Sequence, residues 1–165
     1  IREMGRATSV LMKGLDEFNP DIILLATTNL YDFFDNALLR RFDKVVDFSR
    51  YQKEDLITIA DKLLESELNR FGFPQTYKRI CSHIFSLVEK LPFPGELKNI
   101  IRTSIAFSNP SDKTDYVRNI MKTFLPKVGD DFGLMKKLGF SYRDMEVLTG
   151  ISKSKIGNNL TKKGR

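Results

Sequence analysis

Two clusters of residue types in this chain are suited to handling phosphate. An apolar run, Ile22-Ile23-Leu24-Leu25-Ala26, ends in Thr27-Thr28-Asn29, and eleven residues later come Arg40-Arg41-Phe42-Asp43. A guanidinium presents a rigid fork of donors that meets two phosphate oxygens at once, which an ammonium does not reproduce. An asparagine amide at the end of a buried strand can orient a water or touch a phosphate, and the ends of strands are where open α/β sheets bind ligands. A third candidate cluster is the basic C-terminus. From Ile151 to Arg165 the chain carries Lys153, Lys155, Lys162, Lys163 and Arg165 and no acidic residue, with Ser152, Ser154, Asn158 and Asn159 interleaved. Lysines suit a phosphate backbone, and asparagine amides suit base edges.

Other chemistries are excluded by composition. There is one histidine, His83, and one cysteine, Cys81, so this stretch can form neither a Ser-His-Asp triad, nor a multi-histidine metal site, nor an internal disulfide. Both lie beside Ile80 and Ile84 and are expected as packing residues. No Gly-x-x-x-x-Gly-Lys-Ser/Thr stretch occurs, so no P-loop cradles phosphates. No apolar strand ends in paired acidic residues that would hold Mg. Asp16-Glu17 sits at a helix end and is expected as a solvated pair. At 165 residues with 41% hydrophobic and 29% charged residues, the chain is expected to fold as a globular protein. No apolar run is long enough to span a bilayer and nothing resembles a signal peptide, so no membrane partner is expected, and a cytoplasmic location fits the lone thiol. The net charge of +6 hints at an anionic partner.

The elements that position these clusters follow from periodicity. Residues 1–18 have helical spacing through Met4, Val10, Leu11 and Leu15. Asn19-Pro20 predicts a turn, residues 21–29 a strand buried on both faces, residues 31–40 a helix and residues 44–49 a second strand. That alternation belongs to a parallel α/β sheet, and two strands cannot complete one, so the remaining strands are expected upstream of Ile1. Beyond Tyr51 only helices are predicted: residues 53–71, closed by Gly72 and Pro74; 77–91; 96–107 after a Pro92-Phe93-Pro94-Gly95 loop; and 113–125. A final compact unit has a short helix over 130–138, a helix capped by Ser141 through Leu148, a turn at Gly150-Ile151-Ser152, and a helix capped by Ser152 to about Lys163.

Taken together, Ala26-Thr27-Thr28-Asn29 and Asp35-Asn36-Ala37-Leu38-Leu39-Arg40-Arg41-Phe42-Asp43 resemble the second region of homology of AAA+ ATPases, over residues 1–109. The resemblance implies that Asn29 is sensor 1 and that Arg40 or Arg41, with Arg41 favoured, acts on the nucleotide of a neighbouring subunit. The proline-glycine often found between the two family arginines is absent. Pro94-Gly95-Glu96-Leu97-Lys98-Asn99 looks like the start of a lid helix, in which Lys98, read as a first-turn residue, would reach a phosphate. The family implies ATP and Mg as ligands, bound only with the missing N-terminal half, and neighbouring AAA+ subunits in a homo-oligomer as partners. Hydrolysis would move lid against sheet through a hinge near residues 49–53.

The C-terminal unit resembles a helix-turn-helix DNA reader, with Val147, Ile151, Ile156 and Leu160 as core and Glu146 where a small alanine is usual. That resemblance implies DNA as a partner, met by Ser152, Lys153, Ser154, Lys155, Asn158 and Asn159. The expected organisation is thus an α/β remnant of a parallel-sheet nucleotide domain at 1–50, a mostly helical lid at 51–109 and a helical, helix-turn-helix-like unit at 110–165, predominantly α overall. The expected function is that of the C-terminal portion of an AAA+ ATPase remodelling a protein or nucleic-acid partner, inactive alone. The alternative is a non-enzymatic DNA-binding adaptor on the same scaffold.

Overall fold

The computed structural model describes residues 2–19, 21–48 and 50–163, and the side chains of all of these except 2–7, 162 and 163. The chain divides into two compact units, Ile1–Phe48 and Ser49–Arg165.

In the first unit, helix α1 spans Arg2–Asp16. A 3-10 turn at Tyr31–Phe33 comes next, and then the short helix α2 at Asn36–Leu39. The single helix expected over 31–40 is therefore broken. Phe34 and Asp35 are extended, and the Asp35 carboxylate accepts the Ala37 N–H at 2.9 Å, capping α2 afresh. Leu38 is the buried anchor of this short helix.

Residues 21–29 and 44–48 form no ladder, and no strand is present among the described residues. The strand expectation fails for a physical reason. A strand exists only when a neighbour accepts and donates its backbone hydrogen bonds, and no described segment offers one. Ile23 and Leu25, expected to be buried on both faces, are each 87% exposed. Pro20 of the expected turn and Ser49 of the expected hinge lie outside the described residues.

The second unit is wholly helical among the described residues. Helix α3 spans Lys53–Phe71, as its apolar stripe predicts. A reciprocal capping box between Gln52 and Asp55 opens it, and Gly72 closes it at φ 71°, a left-handed conformation that favours glycine. Helix α4 (Lys78–Leu87) is shorter than expected: a 3-10 turn at Gln75–Tyr77 takes its first residue, and extended Val88 ends it four residues before Leu91. Helix α5 (Pro94–Ala106) starts earlier than expected, with Pro94 in the first turn, where its missing N–H costs nothing. Helix α6 spans Asp115–Phe124. Next come α7 (Phe132–Lys137, capped by Asp131), α8 (Tyr142–Thr149) and α9 (Lys153–Lys163).

One apolar cluster runs through this unit. Leu64 and Leu68 of α3, Ile84 and Phe85 of α4, Leu97 and Ile101 of α5, Tyr116 and Ile120 of α6, Met135, Met145 and Ile156 all belong to it. Helix α3 lies against α4 and α5, α6 against α4, α5 and α8, and α9 against α7 and α8. Buried Tyr116 donates its hydroxyl to the Pro74 carbonyl at 3.1 Å, and burial raises its pKa.

Candidate functional site

The phosphate-facing candidates of the first unit are exposed. Asn29 lies at the end of the extended segment, beyond Thr28, whose hydroxyl accepts the Leu30 N–H at 2.9 Å. Arg40 closes α2 through its backbone N–H, which reaches the Asn36 and Leu38 carbonyls, and its side chain is exposed.

Arg41 is held quite differently. Its Nε donates to Asp16 Oδ1 at 2.6 Å, its Nη2 to Asp16 Oδ2 at 3.0 Å, and its Nη1 to the Ala37 carbonyl at 2.7 Å. The fork thus bridges the last residue of α1 to α2. The hydrogen bonds with Arg41 lower the Asp16 pKa, and the same bonds raise that of the guanidinium. Asp16 is exposed, as expected, but it is tied to Arg41 by these bonds. Glu17 makes only a loose contact, its carboxylate 3.9 Å from Lys13 Nζ. No local sequence signal joins Asp16 to Arg41, which lie twenty-five residues apart.

Asn29, Arg40 and Arg41 are each exposed, and nothing in their hydrogen bonds joins Asn29 to either arginine. They do not make a cradle, and among the described residues no group of three or more His, Cys, Asp or Glu side chains could hold a metal ion. The described residues therefore offer no such ligand set for Mg. For ATP they offer two guanidinium groups and an amide without the backbone nest that phosphates require.

Lys98 is exposed on the second turn of α5, because that helix begins at Pro94. Its register therefore differs from the first-turn position read from the sequence. Cys81 is fully buried, and burial, with Asp61 nearby, raises its thiol pKa, so it is a packing residue and not a nucleophile. His83 Nε2 meets the Leu138 carbonyl at 2.9 Å, and its ring lies edge-on to Phe140 at 4.8 Å.

The C-terminal candidates gather on one helix and the turn before it. Ser141 and Asp144 form a reciprocal capping box that opens α8, and Gly150 ends the helix at φ 73°. The turn after it aims α9 across α7 and α8. Ile156 is fully buried, and Val147, Ile151 and Leu160 pack half-buried around it. Glu146, the departure from a small residue, has a local role: its carboxylate accepts the Lys153 N–H at 3.4 Å and lies 3.6 Å from Lys153 Nζ. It therefore serves the start of α9 and draws Lys153 back toward α8.

Lys155, Asn158 and Asn159 are exposed and, with Gly150, Ile151 and Ser152, line an open groove of about 520 Å³. Ser154 is exposed on the same helix. Arg165 lies outside the described residues.

Asp144, missed in the sequence, is buried and is held by two residues. It accepts the Ser141 N–H at 3.0 Å and the Ser141 hydroxyl at 2.7 Å, and it forms an ion pair with Arg79 of α4. The Ser-x-x-Asp spacing of a capping box was the available signal for its local role. Nothing in the sequence pointed to Arg79.

No helix among the described residues is long and apolar enough to cross a membrane. No curated protein and no solved structure matches this chain. Residues 2–50, which hold Asn29, Arg40 and Arg41, match the model of the ATPase family associated with various cellular activities (AAA), and the match supports a relation of this chain to the AAA ATPases.

Proposed function

We propose that this chain is the C-terminal portion of an AAA+ ATPase that works in the cytoplasm as a homo-oligomer and couples ATP hydrolysis to remodelling of a protein or nucleic-acid partner. The observation that carries the proposal is that the family match falls on the unit whose surface presents Asn29, Arg40 and Arg41 together with an unpaired apolar segment.

Asn29 serves as the amide facing the terminal phosphate. Arg41, with Arg40 beside it, completes the nucleotide site of a neighbouring subunit, and Lys98 approaches phosphate from the helical lid of residues 51–109. The chain's sequence contains no P-loop and no apolar strand ending in paired acidic residues, so the phosphate cradle and the Mg site are supplied from outside these 165 residues, and this chain alone does not hydrolyse ATP. The arginine's part is electrostatic. A planar donor fork placed against the transferred phosphoryl group cancels charge as it develops, a contribution of roughly 10³–10⁵ in rate for such arginines.

The test is steady-state ATP turnover by the whole protein under assembling conditions. Arg41→Ala is expected to lower turnover by about 10³ or more while leaving nucleotide binding to the same subunit intact. Mixing it with a subunit lacking the phosphate cradle is expected to restore part of the activity, because each then supplies what the other lacks. Unchanged turnover in Arg41→Ala overturns the assignment.

A further inference from the structure

Three groups converge on the Arg41 guanidinium in the first compact unit, and one of them is a thioether. Nε and Nη2 are held by the Asp16 carboxylate, and Nη1 donates to the Ala37 carbonyl at 2.7 Å. The same Nη1 donates to Met12 Sδ at 3.8 Å. Met12 and Asp16 stand four residues apart on α1, so one face of that helix carries both. We propose that Met12 is a site of reversible oxidation, and that its sulfoxide tightens the hold on Arg41. The consequence for ATP turnover, and only that consequence, rests on the function proposed above.

A thioether is a weak hydrogen-bond acceptor, and at 3.8 Å it adds little to the hold on a guanidinium. Oxidation changes that. With hydrogen peroxide, a sulfur lone pair attacks one peroxide oxygen. The S–O bond forms, the O–O bond breaks, and the departing hydroxide takes the proton of the transferred oxygen and leaves as water. Sulfur is oxidised by two electrons and the peroxide is reduced. The sulfoxide oxygen carries much of the negative charge of the S–O dipole, and against Nη1 it makes a charge-assisted hydrogen bond. Two thiols reverse the step, giving thioether, disulfide and water.

Position singles out Met12 among the methionines. Met121, Met135 and Met145 are buried in the apolar cluster of the second unit, whereas Met12 is half-buried on a helix whose neighbouring residues are exposed. The side chain of Met4 lies outside the described residues. Met12 is therefore the described thioether that an oxidant in solution meets first. Its surroundings also set the direction of the effect. A sulfoxide in an apolar cluster disrupts packing, because a polar oxygen is left without a donor. Beside Arg41 the new oxygen has a cationic donor waiting, so oxidation adds a contact instead of removing one.

The experiment treats the full 165-residue chain with hydrogen peroxide and then with phenylglyoxal, a dicarbonyl that condenses with released guanidinium groups, and reads both by peptide mass spectrometry. Peroxide is expected to add one oxygen to Met12 and to slow the reaction of Arg41 about fivefold relative to exposed Arg40. In Met12→Leu, which conserves volume, peroxide should leave the Arg41 rate unchanged. Met12→Gln sets a permanent polar acceptor at the same place and should slow Arg41 without peroxide, which keeps the test open should Met12→Leu not fold. In the whole protein under assembling conditions, peroxide is expected to lower ATP turnover of the parent about fivefold and that of Met12→Leu not at all. Slowed Arg41 with unchanged turnover supports the sulfoxide contact and overturns the part of Arg41 in hydrolysis. Failure of Met12 to take up oxygen, an Arg41 rate that peroxide does not change, or equal slowing in Met12→Leu overturns the proposal itself.

Discussion

The Asp16 carboxylate, at the end of α1, grips the Arg41 guanidinium through two parallel hydrogen bonds of 2.6 and 3.0 Å. A planar fork that holds one oxyanion in this way must let go of it to take a phosphate in the same geometry. Under the function proposed above, Asp16 and an incoming phosphate compete for a single set of donors. Replacing Asp16 with asparagine keeps the shape and weakens the competitor. In the assembled protein, Asp16→Asn is expected to lower the subunit concentration giving half-maximal ATP turnover several-fold. In an Arg41→Ala background the same change is expected to do nothing, and a double-mutant cycle of turnover measurements checks it.

The helical unit should be sensitive to loss of volume at its centre and indifferent at its rim. Leu64 is fully buried on α3, and Phe107, just past α5, is 83% exposed. Leu64→Ala is expected to destabilise the unit by about 2–5 kcal/mol, and Phe107→Ala by less than about 0.5 kcal/mol. Urea titration followed by circular dichroism distinguishes the two.

Gly150 tests the turn into α9 in isolation. Its φ is 73°, and a Cβ placed there would meet nothing within 4 Å. The cost of Gly150→Ala is therefore one of backbone conformation alone, about 1–2 kcal/mol. Gly150→Asn should cost less, since asparagine enters the left-handed region more readily. Equal urea midpoints for both variants and the parent would refute this account.

Acid should loosen the start of α6. Asp112 accepts the Thr114 hydroxyl at 2.7 Å and the Thr114 N–H at 2.9 Å, and it forms an ion pair with Arg118. The Thr114 bonds first, and Arg118 after them, hold its pKa down at about 2. The folded state thus binds a proton less readily than the unfolded state does. The contribution is complete above the ordinary aspartate pKa of about 3.9 and is lost as pH falls through about 2. Asp112→Asn is expected to flatten the dependence of the melting temperature on pH between about 4 and 2 and to lower stability at neutral pH.

The helices were legible because their signals are local. The apolar stripe of residues 53–71 and the closing Gly72 predict α3 to the residue, and Ser141 and Gly150 bracket α8 as cap and stop signals do. The strands were misread for the opposite reason. Residues 21–29 carry the composition of a buried strand, but pairing is a property of two segments, and no described segment pairs with them. The candidate site divides along the same line. The exposed faces of Arg40, Lys155, Asn158 and Asn159 could be anticipated from the spacing of their apolar neighbours. The Asp16–Arg41 and Arg79–Asp144 pairs span twenty-five and sixty-five residues, and no periodicity reports such distances.

Arg79 and His83 stand one turn apart on α4, the first paired with Asp144 on α8 and the second with the Leu138 carbonyl just before it. Two fastenings on one rod fix both its position and its roll. These contacts tie α4 to α8 and to the segment before it, and the Gly150 turn joins α8 to α9, which is itself seated on α7 and α8 through buried Ile156.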